Sequence, residues 1–231
     1  LPFALDRHLE RLHRSATGLG LEPIDDEALR QGVKEVLAEP EPLARVRITV
    51  TAGPAPMGSG RAGARPTVVV TAEAMAPLPD TTTVITVPWP RNERGALAGL
   101  KTTSYAENVI ALAEAHRRGA TEAVFANTQG HLCEGTGTNV FYVADGELRS
   151  SSLASGCLAG VTRGLILEWY GAREVDEPIE VLDRASEIFL ASTTRDAQAV
   201  LRWNERDLPH GPVTRAVREA WRSREPELLG H

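Results

Sequence analysis

The sequence predicts a mixed α/β (α+β) protein with two domains, and three observations support this prediction. Helical and β-rich segments alternate along the 231 residues. A stretch with two prolines and three charges, residues 88–96, interrupts them and is typical of a crossover between domains. Several short β-rich runs follow it. We therefore expect a small α/β domain over residues 1–88, a linker over 89–96 and a larger domain over 97–231. In the larger domain a β-meander or barrel-like sheet is combined with helices.

The small domain is expected to contain two helices and three strands. Apolar spacing predicts a helix from Asp6, its expected N-cap, to Gly18 or Gly20. Acidic residues at the start of 25–39 favour the N-terminus of a second helix. The glycine- and proline-rich residues 54–65 predict a flexible hairpin connection. The β-rich runs of this domain are residues 44–53, 66–75 and 81–89.

The larger domain is expected to begin with a helix that follows Lys101 and ends at Gly119. The residues expected on its buried face are Ala106, Val109, Ile110, Leu112 and Ala113. A meander with glycine-containing turns should follow, with strands at 122–127, 138–145 and 147–151. A glycine-rich loop then leads into a helix at 161–170, and strands at 187–193 and 197–204 precede a terminal helix.

The composition excludes several classes of function. A net charge of −6 gives no basic field to attract nucleic acid or an anionic membrane. No apolar run approaches the roughly 20 residues of a membrane-spanning helix, so we expect a cytoplasmic protein. Cys133 and Cys157 cannot supply a structural zinc site and are expected to be reduced packing residues, and no metal is expected. Because the chain opens at Leu1 without Met, we also expect further N-terminal sequence.

Lys101 is unusual because nearly every other cation of the chain is an arginine. Of 25 basic residues, only Lys34 and Lys101 are lysines. A primary amine can condense with an aldehyde to form a Schiff base, and when desolvated it can carry protons near neutral pH. A guanidinium does neither. The alternative is an isolated lysine in a salt bridge.

Two other segments suit the binding of charged groups. Glu134 is expected to share a strand face with Leu132, where a carboxylate needs a proton or a cation beside it. It would suit the protonated nitrogen of a pyridine ring, or it is an edge residue that faces solvent. Gly160, Val161 and Thr162 are expected at a helix N-terminus, which is either an anion site or an ordinary cap.

Lys101, Glu134, the loop before Val161 and a hydroxyl cluster at 191–196 follow one another in a pattern that resembles the class IV, or fold type IV, pyridoxal-phosphate enzymes. This family includes branched-chain and D-amino-acid aminotransferases and 4-amino-4-deoxychorismate lyase. The resemblance covers nearly the whole chain, and its most specific part is "EGTGTNVF" followed by "GCLAGVTR". It implies the fold type IV architecture, pyridoxal 5′-phosphate as cofactor and a homodimer in which the second subunit closes the active site.

The resemblance also implies a role for each matching residue. Lys101 matches the lysine that holds the cofactor as a Schiff base and then moves a proton between Cα and C4′. Glu134 matches the carboxylate that pairs with the pyridine nitrogen, and Leu158 matches the residue on the ring face. A backbone N–H at Thr194 is expected to meet the substrate carboxylate. The residues that match the phosphate contacts are Arg11, Val161, Thr162 and Thr193.

The position of Tyr105 bears on substrate choice. Members with a branched-chain preference carry Gly-Gly-Asn before the tyrosine that follows the lysine. Here only Thr-Thr-Ser separates Lys101 from Tyr105, so the spacing between lysine and tyrosine is one residue shorter. Tyr105 is therefore a candidate substrate contact, and capping or packing at a helix start is the alternative for residues 102–105.

Three functions follow from these expectations. The first is an aminotransferase that acts on an amino acid and a 2-oxo acid. The second is 4-amino-4-deoxychorismate lyase, which forms 4-aminobenzoate and pyruvate and shares every residue named above. The third, from another class, is a catalytically silent relative that binds a phosphate ligand or a partner protein.

Overall fold

A computed structural model describes residues 1–39, 41–58, 60 and 63–230. It divides into two compact units. The smaller unit comprises residues 1–77 and 100–103 and the residues from Glu227 onward, and the larger unit comprises 78–99 and 104–226. The helices are α1 (Leu5–Gly18), α2 (Asp26–Val36), α3 (Ala106–Arg117), α4 (Val161–Trp169), α5 (Val181–Arg184) and α6 (Pro212–Arg224).

The strands are β1 (Ala44–Thr51), β2 (Thr67–Ala74), β3 (Thr81–Thr86), β4 (Glu122–Ala126), β5 (Leu132–Gly135), β6 (Asn139–Ala144), β7 (Glu147–Ser151), β8 (Arg173–Val175), β9 (Glu187–Ser192), β10 (Asp196–Trp203) and β11 (Arg206–Asp207). No helix in the part of the chain that the structure describes is both long and apolar enough to cross a membrane.

The smaller unit packs two helices with an antiparallel pair of strands, β1 and β2. The expected second helix begins at its N-cap Asp25, whose side chain accepts the backbone N–H of Glu27 at 3.0 Å. Asp6 is not the N-cap of α1, because that helix already begins at Leu5. Asp6 lies instead in the first turn and forms an ion pair with Arg30 at 2.7 Å. Of the expected hairpin connection, residues 59, 61 and 62 lie outside the described part.

The larger unit is built on one curled sheet of nine strands among the described residues. Its order is β5-β4-β3-β10-β9-β6-β7-β8, and β11 pairs with β10. The sequence places β3 with the small domain, but β3 runs parallel to β4 on one edge and to β10 on the other. Both partners are distant in sequence, so no local pattern predicts this pairing. The expected division at residues 89–96 otherwise stays a prediction.

The expected meander is in fact two separate hairpins. β4 pairs with β5 and β6 pairs with β7, but β6 then pairs with β9 rather than with β5. The tight turn between β6 and β7 is confirmed: Asp145 and Gly146 have φ values of 53° and 77°, the left-handed conformation that a two-residue hairpin requires.

The core lies on both faces of this sheet, and α3 covers part of it through alanines. Ala111 and Ala115 are completely buried beside Phe125. Four of the five residues of the expected buried face are instead exposed, namely Ala106, Val109, Ile110 and Ala113, and the exposed fractions of Val109 and Ile110 are 64% and 56%. Small side chains let the helix lie close to β4, and this turns the larger side chains outward. Cys133 and Cys157 are also buried, and burial raises the pKa of both thiols.

Glu187, at the start of β9, holds the N-terminus of α6. Its carboxylate accepts the backbone N–H groups of Val213 at 3.0 Å and Thr214 at 2.7 Å, and the Thr214 hydroxyl at 2.8 Å. The adjoining N-cap is Gly211, where a Cβ would lie 1.9 Å from Glu187 Cδ. A side chain on β9 therefore supplies the cap that this helix lacks in its own sequence.

We predict that Glu187→Gln lowers the free energy of unfolding by about 1–3 kcal/mol, because the amide replaces one buried acceptor by a donor. Urea unfolding followed by circular dichroism would measure the change. Glu205→Gln, at an exposed position between β10 and β11, is the control. Equal stability of the two variants would show that Glu187 does not stabilise α6.

Candidate active site

In the smaller unit, α1 carries Arg11 and also fixes the backbone of Lys101. The backbone N–H of Lys101 donates to the buried Ser15 hydroxyl at 3.0 Å. Arg11 and Ser15 are four residues apart and therefore share one face of the helix. Leu100 packs against the end of the same helix, where a Cβ on Gly18 would lie 2.8 Å from Leu100 Cδ2. Two predicted site residues thus take their positions from one helix.

The guanidinium of Arg11 is suited to an anion. Its Nη2 donates to Nδ1 of His8 at 3.2 Å. Burial, and then the neighbouring Arg14, lower the pKa of Arg11. Among the described residues no carboxylate lies within ion-pair distance of Arg11. A desolvated cation in this setting is stabilised by a phosphate, which the planar guanidinium can bind through two N–H groups.

In the larger unit, Glu134 on β5 is partly buried, with 17% of its side chain exposed. Its Oε2 accepts the backbone N–H of Leu158 at 2.9 Å. Its Oε1 lies 3.6 Å from Nε of Arg91, whose guanidinium also lies over the ring of Phe125 at 4.2 Å. The structure thus places the predicted carboxylate and the predicted ring-face residue in direct contact, and it adds an arginine that the sequence did not single out.

Asn139, the first residue of β6, holds the other side of Leu158. Its Nδ2 donates to the Leu158 carbonyl at 2.9 Å. The backbone N–H of Gly160 donates to the same carbonyl at 2.8 Å. The sequence analysis did not single out Asn139, although it stands inside the quoted run "EGTGTNVF". Its position opposite Ala191 in the β6–β9 pair also brings it beside the end of β9, which leads to Thr193.

The start of α4 has the properties of a phosphate site. Gly160 is its N-cap and makes no side-chain cap, and no acidic residue occurs in the first turn. Val161 and Thr162 are buried, and the Thr162 hydroxyl has no hydrogen-bond partner among the described residues. Because the first N–H groups of a helix also lack intrahelical partners, an anion can accept from both kinds of donor. This buried, unpaired hydroxyl is the observation that fits the phosphate of the expected cofactor.

Thr193 and Thr194 lie in the turn between β9 and β10, where Thr193 is exposed and Thr194 is half-buried. The turn is closed by a hydrogen bond from the Arg195 N–H to the Ser192 carbonyl at 3.0 Å. Tyr105 occupies the N-cap of α3, with no capping bond from its side chain, and its carbonyl accepts the Val109 N–H at 2.9 Å. The backbone of Tyr105 thus begins the helix, and a substrate contact for its side chain stays a prediction.

Comparison with known proteins identifies the family. The model of the amino-transferase class IV family matches residues 1–203. The chain belongs to the class IV aminotransferases. Enzymes of this family depend on pyridoxal 5′-phosphate, so the expected family and its cofactor are confirmed.

The similar proteins include several named as branched-chain aminotransferases. A putative branched-chain-amino-acid aminotransferase of Methanocaldococcus jannaschii is 29% identical over 235 residues, which cover 95% of this chain and 81% of the relative. The crystal structure of a branched-chain aminotransferase from Thermoproteus uzoniensis with norvaline is 27% identical, has a TM-score of 0.89 and covers 99% of this chain and 81% of that one.

One similar structure carries the name of the second function expected from the sequence. A putative 4-amino-4-deoxychorismate lyase from Legionella pneumophila has a TM-score of 0.88 at 22% identity, over 96% of this chain and 86% of that one. At this identity the likeness shows the fold alone. The predicted fold type IV architecture of this class IV enzyme is confirmed by these structures.

We predict that Gly160→Ala weakens binding of pyridoxal phosphate at least about tenfold, which is about 1.4 kcal/mol. A Cβ at Gly160 would lie 2.2 Å from Oδ1 of Asn139, so either the start of α4 or the Leu158 loop must move. Gly164→Ala in the same helix meets no atom within 4 Å and serves as the control. Absorbance titration with the cofactor would measure both. Equal affinity of the two variants would contradict the proposed phosphate contact.

We also predict that His8 makes stability depend on pH. Burial, and then Arg11, lower the pKa of His8 from 6.5 to about 4. Between these values the unfolded chain binds a proton that the folded chain does not, so stability is full above about pH 6.5 and falls as the pH drops towards 4. Between pH 7 and pH 4.5, the free energy of unfolding of the wild type should fall by about 2 kcal/mol more than that of His8→Asn. The asparagine keeps an acceptor for Arg11.

Urea unfolding of both proteins at the two pH values would measure this difference. Asp196 acts in the opposite direction, since burial raises its pKa to about 6, but its contribution is common to both proteins and cancels in the comparison. If the free energy of unfolding falls equally in the wild type and in His8→Asn, His8 is not held neutral by the fold.

Proposed function

We propose that this class IV enzyme is an aminotransferase that moves an amino group between an amino acid and a 2-oxo acid, with Lys101 as the catalytic residue. The observation that carries the proposal is the bond from the Lys101 backbone to Ser15, on the helix that also bears Arg11. This bond fixes the backbone of one of only two lysines in the chain. The names of the similar branched-chain aminotransferases support an amino-acid substrate.

The residues proposed to hold pyridoxal phosphate have the chemistry that it requires. Glu134 would accept a hydrogen bond from the protonated ring nitrogen, and Leu158 would pack on the ring face. When bound, the cofactor supplies a conjugated ring that takes up electron density from a substrate carbon that has lost a proton. The residues proposed to bind the phosphate are Arg11, Val161, Thr162 and Thr193.

Lys101 has two proposed tasks that only an amine can perform. Its Nζ would be the nucleophile that holds the cofactor, and after the substrate displaces it, Nζ would carry a proton from the substrate Cα to the cofactor. The Glu134 carboxylate would hold the proton on the ring nitrogen. The backbone N–H of Thr194 would orient the substrate carboxylate, and Tyr105 is the further candidate on the substrate side.

A homodimer and a cytoplasmic location belong to the same proposal. In the larger unit, four large apolar side chains between residues 89 and 110 are 44% to 64% exposed, namely Trp89, Leu97, Val109 and Ile110. Apolar side chains of this size are frequent in the buried centre of subunit interfaces. The expected interdomain linker and the domain boundaries remain predictions as well.

We predict that Lys101→Arg abolishes covalent attachment of the cofactor, whereas Lys34→Arg leaves it unchanged. Both substitutions keep the positive charge, and Lys34 is exposed in the last turn of α2. Each protein is incubated with pyridoxal phosphate, reduced with borohydride and analysed by intact-mass spectrometry and peptide mapping. The wild type and Lys34→Arg should carry one phosphopyridoxyl group on Lys101. Attachment at Lys34, or equal attachment in Lys101→Arg, would remove Lys101 from its proposed role.

The same preparations distinguish the three functions expected from the sequence. Formation of a 2-oxo acid from an amino acid, matched by amination of an added 2-oxo acid, supports the aminotransferase. Release of 4-aminobenzoate and pyruvate from aminodeoxychorismate without an amino acceptor would replace it by the lyase. A wild type that attaches no cofactor would instead support the catalytically silent relative.

A further inference from the structure

The larger unit buries a carboxylate that has no part in the roles described so far. Glu122 is the first residue of β4 and is only 2% exposed. Its Oε1 accepts the backbone N–H of Thr136 at 3.1 Å, the Thr136 hydroxyl and the N–H of Ala123 at 2.9 Å. Its Oε2 lies 3.5 Å from the Thr138 hydroxyl and 3.7 Å from Nη2 of Arg195. The removal of a carboxylate from water requires this many partners.

The partners of Glu122 belong to two segments that carry predicted site residues. Thr136 and Thr138 lie in the loop that connects Glu134 on β5 with β6. Arg195 ends the turn that contains Thr193 and Thr194. Glu122 itself lies on β4, next to the edge strand β5, so one side chain holds both segments.

Further polar contacts start from the two segments that Glu122 holds. On one side, the Asn108 amide donates to the Thr136 carbonyl, and Arg91 donates to Oδ1 of Asn108 at 3.1 Å. Arg91 is also the cation beside Glu134. On the other side, Arg195 donates to Oε1 of Gln198, whose amide donates to the Pro79 carbonyl at 2.6 Å. Glu122 is the carboxylate at which these two sets of contacts meet.

We propose that Glu122 is a positioning residue of the cofactor site, and that it acts through Arg195 on the turn that holds Thr193 and Thr194. The proposal rests on the function proposed above, in which this turn contacts the cofactor phosphate. Without the charge of Glu122, the Arg195 side chain loses its carboxylate partner and keeps its hydrogen bond to Gln198. The phosphate should then be bound less tightly, while the attachment chemistry at Lys101 is unaffected.

The chain offers a matched control for the loss of a buried carboxylate. Glu187 is 4% exposed and, like Glu122, accepts backbone N–H groups and a threonine hydroxyl, but it caps α6 instead of reaching a site segment. Glu122→Gln and Glu187→Gln should therefore cost similar free energies of unfolding. A difference between them in cofactor binding would report what the two carboxylates position.

The experiment compares pyridoxal phosphate with pyridoxal, which has the same ring and aldehyde but no phosphate. Dissociation constants are measured by absorbance titration of the full chain, well below the unfolding midpoint of each variant. We expect Glu122→Gln to bind pyridoxal phosphate about tenfold more weakly than the wild type and to bind pyridoxal equally well. Glu187→Gln should bind both compounds as the wild type does, and at saturation both variants should form the borohydride-stable adduct.

A second variant tests the route through Arg195 and also replaces Glu122→Gln if that protein does not fold. Arg195→Met should weaken binding of pyridoxal phosphate and leave pyridoxal binding unchanged. Both changes break the same contact. A variant that combines Glu122→Gln with Arg195→Met should therefore bind pyridoxal phosphate with about the affinity of whichever single variant binds it more weakly. Additive losses would overturn the proposed route.

The outcomes separate this inference from the proposed function. A wild type that binds neither compound would overturn the proposed function. If the wild type binds pyridoxal phosphate and Glu122→Gln binds it as tightly as Glu187→Gln does, the function stands and the positioning role is wrong. If Glu122→Gln loses affinity for pyridoxal phosphate and for pyridoxal to the same extent, the positioning role is also wrong, because the substitution would then loosen the unit as a whole.

Discussion

The candidate site in the larger unit is organised around the backbone of Leu158, which is held between two strands. Glu134 on β5 accepts its N–H, and Asn139 on β6 donates to its carbonyl, each at 2.9 Å. The loop before α4 is thereby fixed to the sheet on both sides, and the start of the helix follows from it. Gly160 has to be a glycine because the amide of Asn139 fills the space of a side chain. The candidate carboxylate and the candidate phosphate site are therefore parts of one hydrogen-bonded arrangement.

In the smaller unit, a helix rather than a sheet holds the candidate residues in place. The Ser15 hydroxyl holds Lys101 through the backbone N–H, which donates to it at 3.0 Å. The same helix face carries Arg11, whose charge is oriented by a neutral His8. A carboxylate would hold this arginine more strongly, but it would also compete with a phosphate for the guanidinium. Histidine orients the group and leaves its charge for a ligand.

Local signals in the sequence predicted much of this and failed where the cause was distant. The Asp145–Gly146 turn and the start of α2 at Asp25 depend on neighbouring residues, and both were predictable. The pairing of β3 and the exposure of Val109 depend on strands and packing elsewhere in the chain. In the site, "EGTGTNVF" pointed to Glu134, but Asn139 has a role only because β6 places it beside Leu158. The roles of Arg91 and Glu122 likewise arise from contacts between distant segments.

Three glutamates of the larger unit show why burial alone does not identify a functional carboxylate. Glu122, Glu134 and Glu187 all accept backbone N–H groups, and the two most buried are not the one that matches the family motif. Their difference lies in what they join: Glu187 joins β9 to a helix cap, Glu134 joins β5 to the Leu158 loop, and Glu122 joins the loop after β5 to Arg195. Burial of a charge is unfavourable wherever it occurs. The role of a buried carboxylate is therefore inferred from the segments that it connects. By that criterion Glu122 belongs with the site and Glu187 with the scaffold.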